Sequence, residues 1–163
     1  MIFFSTVIRL YTQNGIVFNS ANATNGYTLF TNTSKTYLVN NCGKIVNTWN
    51  VNNVDNHCKL LPNGNLLYSK NNSIYELDWN GIQKNAVSLQ DNDLSLDYEV
   101  IKLPNENYLC VARRETTLEE LKSYGYDILG TSPGVTDAVV ELDGKTGKTL
   151  WRWNIIDHLI QEK

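Results

Sequence analysis

The segment Leu-Pro-Asn-X-Asn occurs twice, as LPNGN from Leu61 and as LPNEN from Leu103, at an interval of 42 residues. Apolar runs flank both copies, so one strand enters the segment and another leaves it. Proline fixes φ for a turn, and Asn-Gly supplies a residue that tolerates positive φ. Glu106 replaces the glycine in the second copy, which predicts a costlier backbone or a different turn type there. A turn that recurs at this interval indicates a repeated structural unit.

A second segment occurs three times: YLVNNCGKIVNTWNV from Tyr37, IYELDWNGIQKNAVSL from Ile74 and VVELDGKTGKTLWRWNI from Val139. In each copy an alternating apolar run ends in Asn or Asp, turns near a glycine and continues as a second alternating run, which predicts a β-hairpin. With the Leu-Pro-Asn turn, the unit holds four short strands in about 42 residues, the length of a propeller blade. The sequence therefore predicts an all-β fold, a β-propeller of four-stranded blades.

The repeat divides the chain into residues 1–36, an N-terminal segment with a lead-in strand, and residues 37–163, which hold three blades. An insertion at 114–134 is predicted to contain a short helix from Thr117 to Tyr124, with Thr116 or Thr117 as its N-cap. Three blades form an incomplete ring, because closed propellers have four to eight. The chain would then begin a longer protein, assemble with copies of itself, or expose open blade edges; an end just after an outgoing strand favours the first.

Composition restricts the partners. With a net charge of −3, nothing in the charge balance points to nucleic acid or an anionic membrane surface, and the 22 asparagines favour turns. The apolar start has no basic region before it, so no clear signal peptide is present. The spacing of the three cysteines, Cys42, Cys58 and Cys110, is not that of a metal site. Cys42 and Cys58 could form a disulfide if the protein is exported; alternatively, the cysteines are buried as small apolar residues. No motif for a metal or another cofactor is found.

Several segments together resemble a known family. GYTLFTNTSKTYLVNNCGKIVNTW, LLPNGNLL, IYELDWNG, LPNENYL, TTLEELKSYGYDILG and VVELDGKTGKTLWRWNIIDHLIQ are similar, in this order, to the N-terminal half of bacterial aryl-sulfate sulfotransferase-like proteins. The resemblance implies a six-bladed propeller in the periplasm or outside the cell. It also implies transfer of a sulfuryl group from a small phenolic sulfate to a phenolic acceptor, without a nucleotide donor.

The same resemblance implies the site residues. In the family a central histidine takes the sulfuryl group covalently, and His, Arg and Asn residues hold the sulfate oxygens. The family's His-His-Asp run before the second turn is replaced here by Asp97, Tyr98 and Glu99. The resulting catalytic candidates are His158, His57 and Arg113. The substrate-binding candidates are Arg114, Tyr98 and Asn107.

Because both histidines of that run are missing, two other functions stay open. The chain could be a non-catalytic propeller that binds a ligand, or an inactive truncated fragment that associates with itself through open blade edges. His158 could equally pack beside Trp153, and the Arg113–Arg114 doublet could be solvated at a strand end.

Overall fold

The computed structural model describes residues 20, 22, 24–32, 34–51, 58–125 and 134–158. Strands dominate this part of the chain, together with one α-helix, α1 (Leu118–Ser123), and one short 3₁₀ helix (Ile155–His158). The strands are β1 (Tyr27–Thr31), β2 (Thr36–Asn40), β3 (Ile45–Trp49), β4 (Lys59–Leu60), β5 (Leu66–Lys70), β6 (Ser73–Leu77), β7 (Gln83–Ser88), β8 (Leu94–Lys102), β9 (Tyr108–Thr116), β10 (Gly134–Leu142) and β11 (Thr149–Asn154). No helix within these ranges is long and apolar enough to cross a membrane.

The strands form three antiparallel sheets, each from consecutive segments of the chain. The first sheet has the order β1-β2-β3, the second β4-β5-β6-β7 and the third β8-β9-β10-β11. The predicted lead-in strand is β1, which pairs with β2 along its whole length, from Tyr27 to Thr31. It takes the place that β5 and β9 have in the other sheets, and among the described residues no strand lies beyond it. The prediction of an all-β, partial propeller-like fold is confirmed, with four strands in the second and third sheets.

The predicted hairpins are β2–β3, β6–β7 and β10–β11, and they share one design. In each, the register shifts by a bulge just before the turn. The turn then begins at Asn40, Asp78 or Asp143, whose side-chain oxygen accepts hydrogen bonds from backbone N–H groups of the turn. The three turn glycines have positive φ: Gly43 at 75°, Gly81 at 81° and Gly147 at 74°. Asn or Asp at the start of the turn and Gly at its end thus determine the hairpin geometry, and both are visible in the sequence.

The two Leu-Pro-Asn segments form the β4–β5 and β8–β9 turns. Gly64 has a φ of 84°, and Glu106 adopts nearly the same conformation with a φ of 68°. In both turns the leucine N–H donates to the carbonyl of the last asparagine, at 2.8 Å. The turn type is therefore retained in the second copy, at the cost of placing a glutamate in the left-handed region.

Neighbouring sheets pack face to face, and the second sheet contributes to two cores because successive strand residues point to opposite faces. Leu66 belongs to the core with the first sheet and Leu67 to the core with the third. The first core comprises Leu38, Trp49, Val51, Leu66 and Leu77. The second core comprises Leu67, Ile74, Val87, Leu94, Leu96, Val100, Tyr108, Cys110, Ala112, Ala138, Val140 and Leu142. Complete burial of each large aliphatic side chain contributes about 1.5–3 kcal/mol, so these junctions hold the sheets together.

Helix α1 lies between β9 and β10, inside the predicted insertion. Thr117 is its N-cap, and the side chain of this residue accepts a hydrogen bond from the Glu120 N–H at 3.1 Å, while Gly125 follows the last turn with positive φ. The insertion is shorter than predicted, because residues 114–116 pair with residues 134–136 and extend the two strands.

The three cysteines are free thiols. Cys42 is exposed, Cys58 is half-buried and Cys110 lies in the second core, where burial raises the pKa of its thiol to about 12. Cys110 therefore behaves as the small buried apolar residue that was one of the two sequence interpretations.

Candidate active site

A bulge in β8 occupies the place where the family's histidines were expected. Leu96 pairs with Ala112 and Val100 pairs with Cys110, so the three residues 97–99 lie opposite one residue of β9. β8 is the edge strand of its sheet, as β4 is of the second sheet. Bulges re-aim side chains and are frequent beside active sites. The backbone of Tyr98 belongs to this bulge, whereas its side chain lies outside the described part.

Two ion pairs surround the bulge. Asp97 pairs with Arg113 of β9, and Glu99 pairs with Lys59 of β4, which joins the edge strands of two sheets. The Arg113 side chain is 51% exposed and that of Asp97 is 30% exposed. Each cation at the bulge therefore has a carboxylate beside it, and an anionic ligand would compete with that carboxylate for the guanidinium.

Arg114 points to the opposite side of the sheet from Arg113 because the two residues are adjacent on one strand. Its guanidinium pairs with Glu120 of α1 and lies 3.7 Å from Asp93, which Arg152 also contacts, at 2.6 Å. Hydrogen bonding from Arg152 lowers the pKa of the Asp93 carboxyl. Only 13% of the Arg114 side chain is exposed. Arg114 thus holds the helix on the sheet, and Arg113 and Arg114 do not share one site.

His158 ends the 3₁₀ helix and stacks on Trp153, with ring centroids 4.6 Å apart and planes 8° apart. Trp153 pairs with Val139, which pairs with Val111 opposite the bulge. Three strand spacings of about 4.8 Å therefore separate the outer strand from the bulge, roughly 14 Å. Arg113 itself lies on β9, two strand spacings from the outer strand, about 10 Å.

The neighbour of His158, Asp157, links the 3₁₀ helix to the inserted segment. Its carboxylate accepts hydrogen bonds from the Tyr124 hydroxyl and from the Asn154 amide, the latter at 2.9 Å. The bond from Tyr124 and then that from Asn154 lower the pKa of Asp157, and the same bond raises the pKa of Tyr124. These contacts fix the backbone that carries His158.

Asn107 lies at the other end of β9, in the Leu-Pro-Asn turn. Its amide donates to Glu141 at 2.7 Å, and its side-chain oxygen accepts from the Gly144 N–H at 3.2 Å. Asn65 makes the equivalent bond to Glu76 at 2.6 Å. Six residues of strand separate Asn107 from Arg113, about 20 Å. The described contacts of Asn107 fasten the turn to the following hairpin, and its role in binding substrate stays a prediction.

Beside these turns lies an open polar cavity of about 630 Å³ between the second and third sheets. Lys102 is the most strongly held cation of its lining: it pairs with Glu76 and with Glu106, each at 2.7 Å. Burial alone would lower the pKa of Lys102, but hydrogen bonds with Glu106 and Glu76 raise it to about 12. The charge of Lys102 in this cavity is therefore compensated by two glutamates.

His57 lies outside the described residues, so its position in the site stays a prediction. Lys59 is the residue of the bulge region that the sequence analysis missed. Its contact with Glu99 spans 40 residues and two sheets, and no local pattern signals such a pair. Within the described ranges, no three His, Cys, Asp or Glu side chains lie together as a metal site.

Comparisons with known proteins give a family match and several structural likenesses, of which one follows. A search of curated proteins finds no match. A crystal structure of a Bacteroides caccae protein described as having unknown function matches with 14% identity and a TM-score of 0.39, over 79% of this chain and 57% of that one. The chain thus spans less than two thirds of that protein. The sequence model of the arylsulfotransferase family, ASST, matches residues 6–163, and the chain therefore belongs to this family.

Proposed function

We propose that the chain is part of an aryl-sulfate sulfotransferase-like propeller, which transfers a sulfuryl group from a phenolic sulfate to a phenolic acceptor when its ring of sheets is complete. The observation that carries the proposal is the family match over nearly the whole chain. The successive sheets, with charged side chains on the edge strands β4 and β8, support it. A periplasmic or secreted location is part of the proposal and rests on the family resemblance alone.

The transfer has two steps. An imidazole nitrogen attacks the sulfur of the aryl sulfate, the bond from sulfur to the phenolic oxygen breaks, and the phenolate leaves. The oxygen of the acceptor phenol then attacks the sulfur, the bond from sulfur to the imidazole nitrogen breaks, and the phenol proton passes through solvent to the phenolate released in the first step. His57 and His158 are the two imidazoles of the chain. Stacking on Trp153 uses the face of the His158 ring, which leaves the in-plane nitrogens for chemistry.

Arg113 is the proposed sulfate ligand. Its half-exposed guanidinium emerges at the bulge, and a planar fork of donors suits the tetrahedral sulfate oxygens. Asp97 is bound to this guanidinium, so sulfate binding requires displacement of a carboxylate. We therefore expect the native chain to bind an aryl sulfate weakly, and to bind it more tightly once the negative charge of Asp97 is removed.

A non-catalytic binding module is the second candidate, and one observation favours it. Asp97 stands in the family's histidine run and pairs with Arg113, while Glu99 pairs with Lys59. A carboxylate does not replace an imidazole as a sulfuryl acceptor, and it repels the substrate sulfate. Such a module would bind a phenolic ligand at the bulge and would not turn it over.

The full-length protein with its ring of sheets complete, purified and incubated with 4-nitrophenyl sulfate and phenol, tests the first candidate through the absorbance of released nitrophenolate. We expect phenol-dependent release, and a loss of about 100-fold or more in one of the variants His57→Ala and His158→Ala. Lys145→Ala, in an exposed turn, is the control and should keep full activity. Release that no histidine variant lowers would contradict the covalent step.

Calorimetric titration with 4-nitrophenyl sulfate separates the two candidates. We expect Asp97→Asn to tighten binding and Arg113→Ala to weaken it, because they remove the competing anion and the ligand-binding cation. Binding without turnover in the native chain would support the binding module. Absence of both binding and turnover in the folded chain would exclude the binding module, and absence of turnover in a protein whose ring of sheets is complete would exclude the enzyme.

A further inference from the structure

Asn-Gly pairs occur at four places in the chain, and the structure holds them differently. They begin at Asn14, Asn25, Asn63 and Asn80, and the first lies outside the described residues. Such a pair can react with itself, because the backbone nitrogen of a glycine reaches the side-chain carbonyl of the preceding asparagine without a Cβ in the way. The reaction needs a glycine N–H that can lose its proton and an asparagine side chain that can turn toward it. The three described pairs can therefore be compared by their contacts.

Two of these pairs lie in tight turns that hold the glycine nitrogen. The Gly64 N–H donates to the Leu61 carbonyl, and the Gly81 N–H donates to the Asp78 carbonyl, each at 2.9 Å. Both glycines have positive φ, 84° and 81°. A hydrogen-bonded N–H gives up its proton less readily, and attack on the side chain would require the turn to open. The asparagines that precede these glycines are therefore protected.

The side chain of Asn63 is held as well as the nitrogen that would attack it. Its oxygen accepts a hydrogen bond from the Asn65 N–H at 3.0 Å. A side-chain hydrogen bond from Asn63 also contributes to the lowered pKa of Glu76. Both reacting groups of this pair thus have other partners, and the Leu-Pro-Asn turn protects its own asparagine.

The third pair, Asn25 and Gly26, has neither restraint. Both residues are exposed and precede β1, which begins at Tyr27. Among the residues that the structure describes, neither the Gly26 N–H nor the Asn25 side chain has a hydrogen-bond partner. A Cβ added to Gly26 would meet no described atom within 4 Å beyond its chain neighbours. The nearest fastening is the Asn41 amide, which donates to the Thr24 carbonyl at 2.7 Å and leaves the reacting groups unrestrained.

We propose that Asn25 is a site of spontaneous deamidation, at which the chain converts its own asparagine into aspartate and isoaspartate. The Gly26 nitrogen bonds to the side-chain carbonyl carbon of Asn25, and the bond from that carbon to the amide nitrogen breaks. The proton of the Gly26 N–H passes through solvent to the departing nitrogen, which leaves as ammonia. Water then opens the resulting succinimide. Opening at the side-chain carbonyl gives aspartate, and opening at the main-chain carbonyl gives isoaspartate.

The products change the surface at the start of β1. A carboxylate replaces a neutral amide, which makes the net charge one unit more negative than −3. The new charge borders a cavity of about 370 Å³, lined by Asn25, Gly26, Tyr27, Asn40, Asn41 and Cys42. Isoaspartate also adds one methylene to the main chain between Thr24 and Tyr27. The Asn41–Thr24 hydrogen bond must then shift relative to β1.

Peptide mapping by mass spectrometry tests the site independently of any sulfuryl transfer. The full chain is incubated at mildly alkaline pH, once folded and once in urea, and the conversion of each asparagine is followed over time. In the folded chain we expect Asn25 to react about tenfold faster than Asn63 or Asn80, since one net hydrogen bond corresponds to roughly that factor in rate. In urea the three asparagines should react at similar rates, because the turns are lost.

Two variants provide the controls. Gly26→Ala should slow the reaction at Asn25, because the methyl group hinders the attacking nitrogen; alanine fits there, since the φ of Gly26 lies outside the left-handed region. An isoaspartate-specific methyltransferase should label the native chain at Asn25 and leave this position unlabelled in Asn25→Gln. Circular dichroism verifies that both variants are folded. Equal rates at the three asparagines of the folded chain would overturn the proposal, as would an Asn25 that folding protects as strongly as Asn63.

Discussion

Glu106 has the left-handed backbone that its repeat equivalent, Gly64, adopts without strain. The φ values are 68° and 84°. For a residue with a Cβ this conformation costs about 1–2 kcal/mol. Glu106 gains an ion pair with Lys102 at 2.7 Å, but the carboxylate is 76% exposed, so the pair contributes little. The second turn is therefore less stable than the first.

We expect Glu106→Gly to stabilise the chain by about 0.5–1 kcal/mol, since relief of backbone strain exceeds both the greater entropy of an unfolded glycine and the lost ion pair. Gly64→Ala is the reciprocal variant. A Cβ there would meet only the Trp79 ring at 3.8 Å, so its expected loss of about 1–2 kcal/mol comes from the backbone alone. Urea unfolding followed by fluorescence measures both. A destabilised Glu106→Gly chain would show that the ion pair outweighs the strain.

Single residues also show what the sequence could and could not predict about the site. Asn40, Asp78 and the turn glycines were predictable because their conformations depend on adjacent residues. The Asp97–Arg113 pair depends on the bulge that aligns β8 with β9, and the Lys59–Glu99 pair depends on the packing of two sheets. Contacts of this kind are set by tertiary structure and carry no local signal.

At the scale of elements, the junction between β6 and β8 contains a buried charge pair. Glu76 and Lys102 are 2.7 Å apart, with side chains 5% and 17% exposed. Burial alone would raise the pKa of Glu76, but hydrogen bonds from Lys102 and Asn65 outweigh it and lower the pKa. The repeat places Leu38 and Leu60 at the equivalent positions of the preceding junction. In the preceding junction a buried leucine thus replaces Glu76, while Leu60, in the place of Lys102, is 39% exposed.

We expect Lys102→Met to lower the free energy of unfolding by about 3–5 kcal/mol, because it leaves the Glu76 carboxylate buried without its cation. The double variant Glu76→Leu with Lys102→Leu should recover most of the loss, since it reproduces the side chains of the first junction. Thermal unfolding measures both changes. A double variant no more stable than Lys102→Met would show that the two junctions differ in shape as well as in charge.

The pH dependence of this pair follows from the lowered pKa of Glu76. A carboxyl group with a lower pKa in the folded state contributes stability above its unfolded value, near 4.5. This contribution is lost as the pH falls through the folded pKa. The native chain should therefore lose stability on acidification below about pH 4.5, and the variant with two leucines should lose less. Equal acid sensitivity in the two proteins would assign the effect to other carboxylates, such as Asp93.

At the scale of the whole molecule, the described part of the chain is a row of three sheets in which the second sheet carries both junctions. The repeated turns and hairpins predicted four-stranded units, because each unit is built from local patterns, and the second and third sheets have this form. The sequence did not predict which residues would fill each junction, since that depends on the face each strand residue presents after the hairpin bulges. A row of repeats is stabilised by nearest-neighbour interfaces, so its parts can separate at one junction.

Leu66 and Leu67 allow the two junctions to be weakened separately, because these adjacent residues of β5 pack in different cores. We expect Leu66→Ala and Leu67→Ala each to lower the free energy of unfolding by about 2–5 kcal/mol, since both side chains are almost completely buried. Amide hydrogen exchange should then differ between them. In Leu66→Ala, protection should fall first in β1–β3, while β8–β11 keep theirs; in Leu67→Ala, β8–β11 should be the strands that lose it. A uniform loss of protection across all three sheets in both variants would mean that the row unfolds as a single cooperative unit.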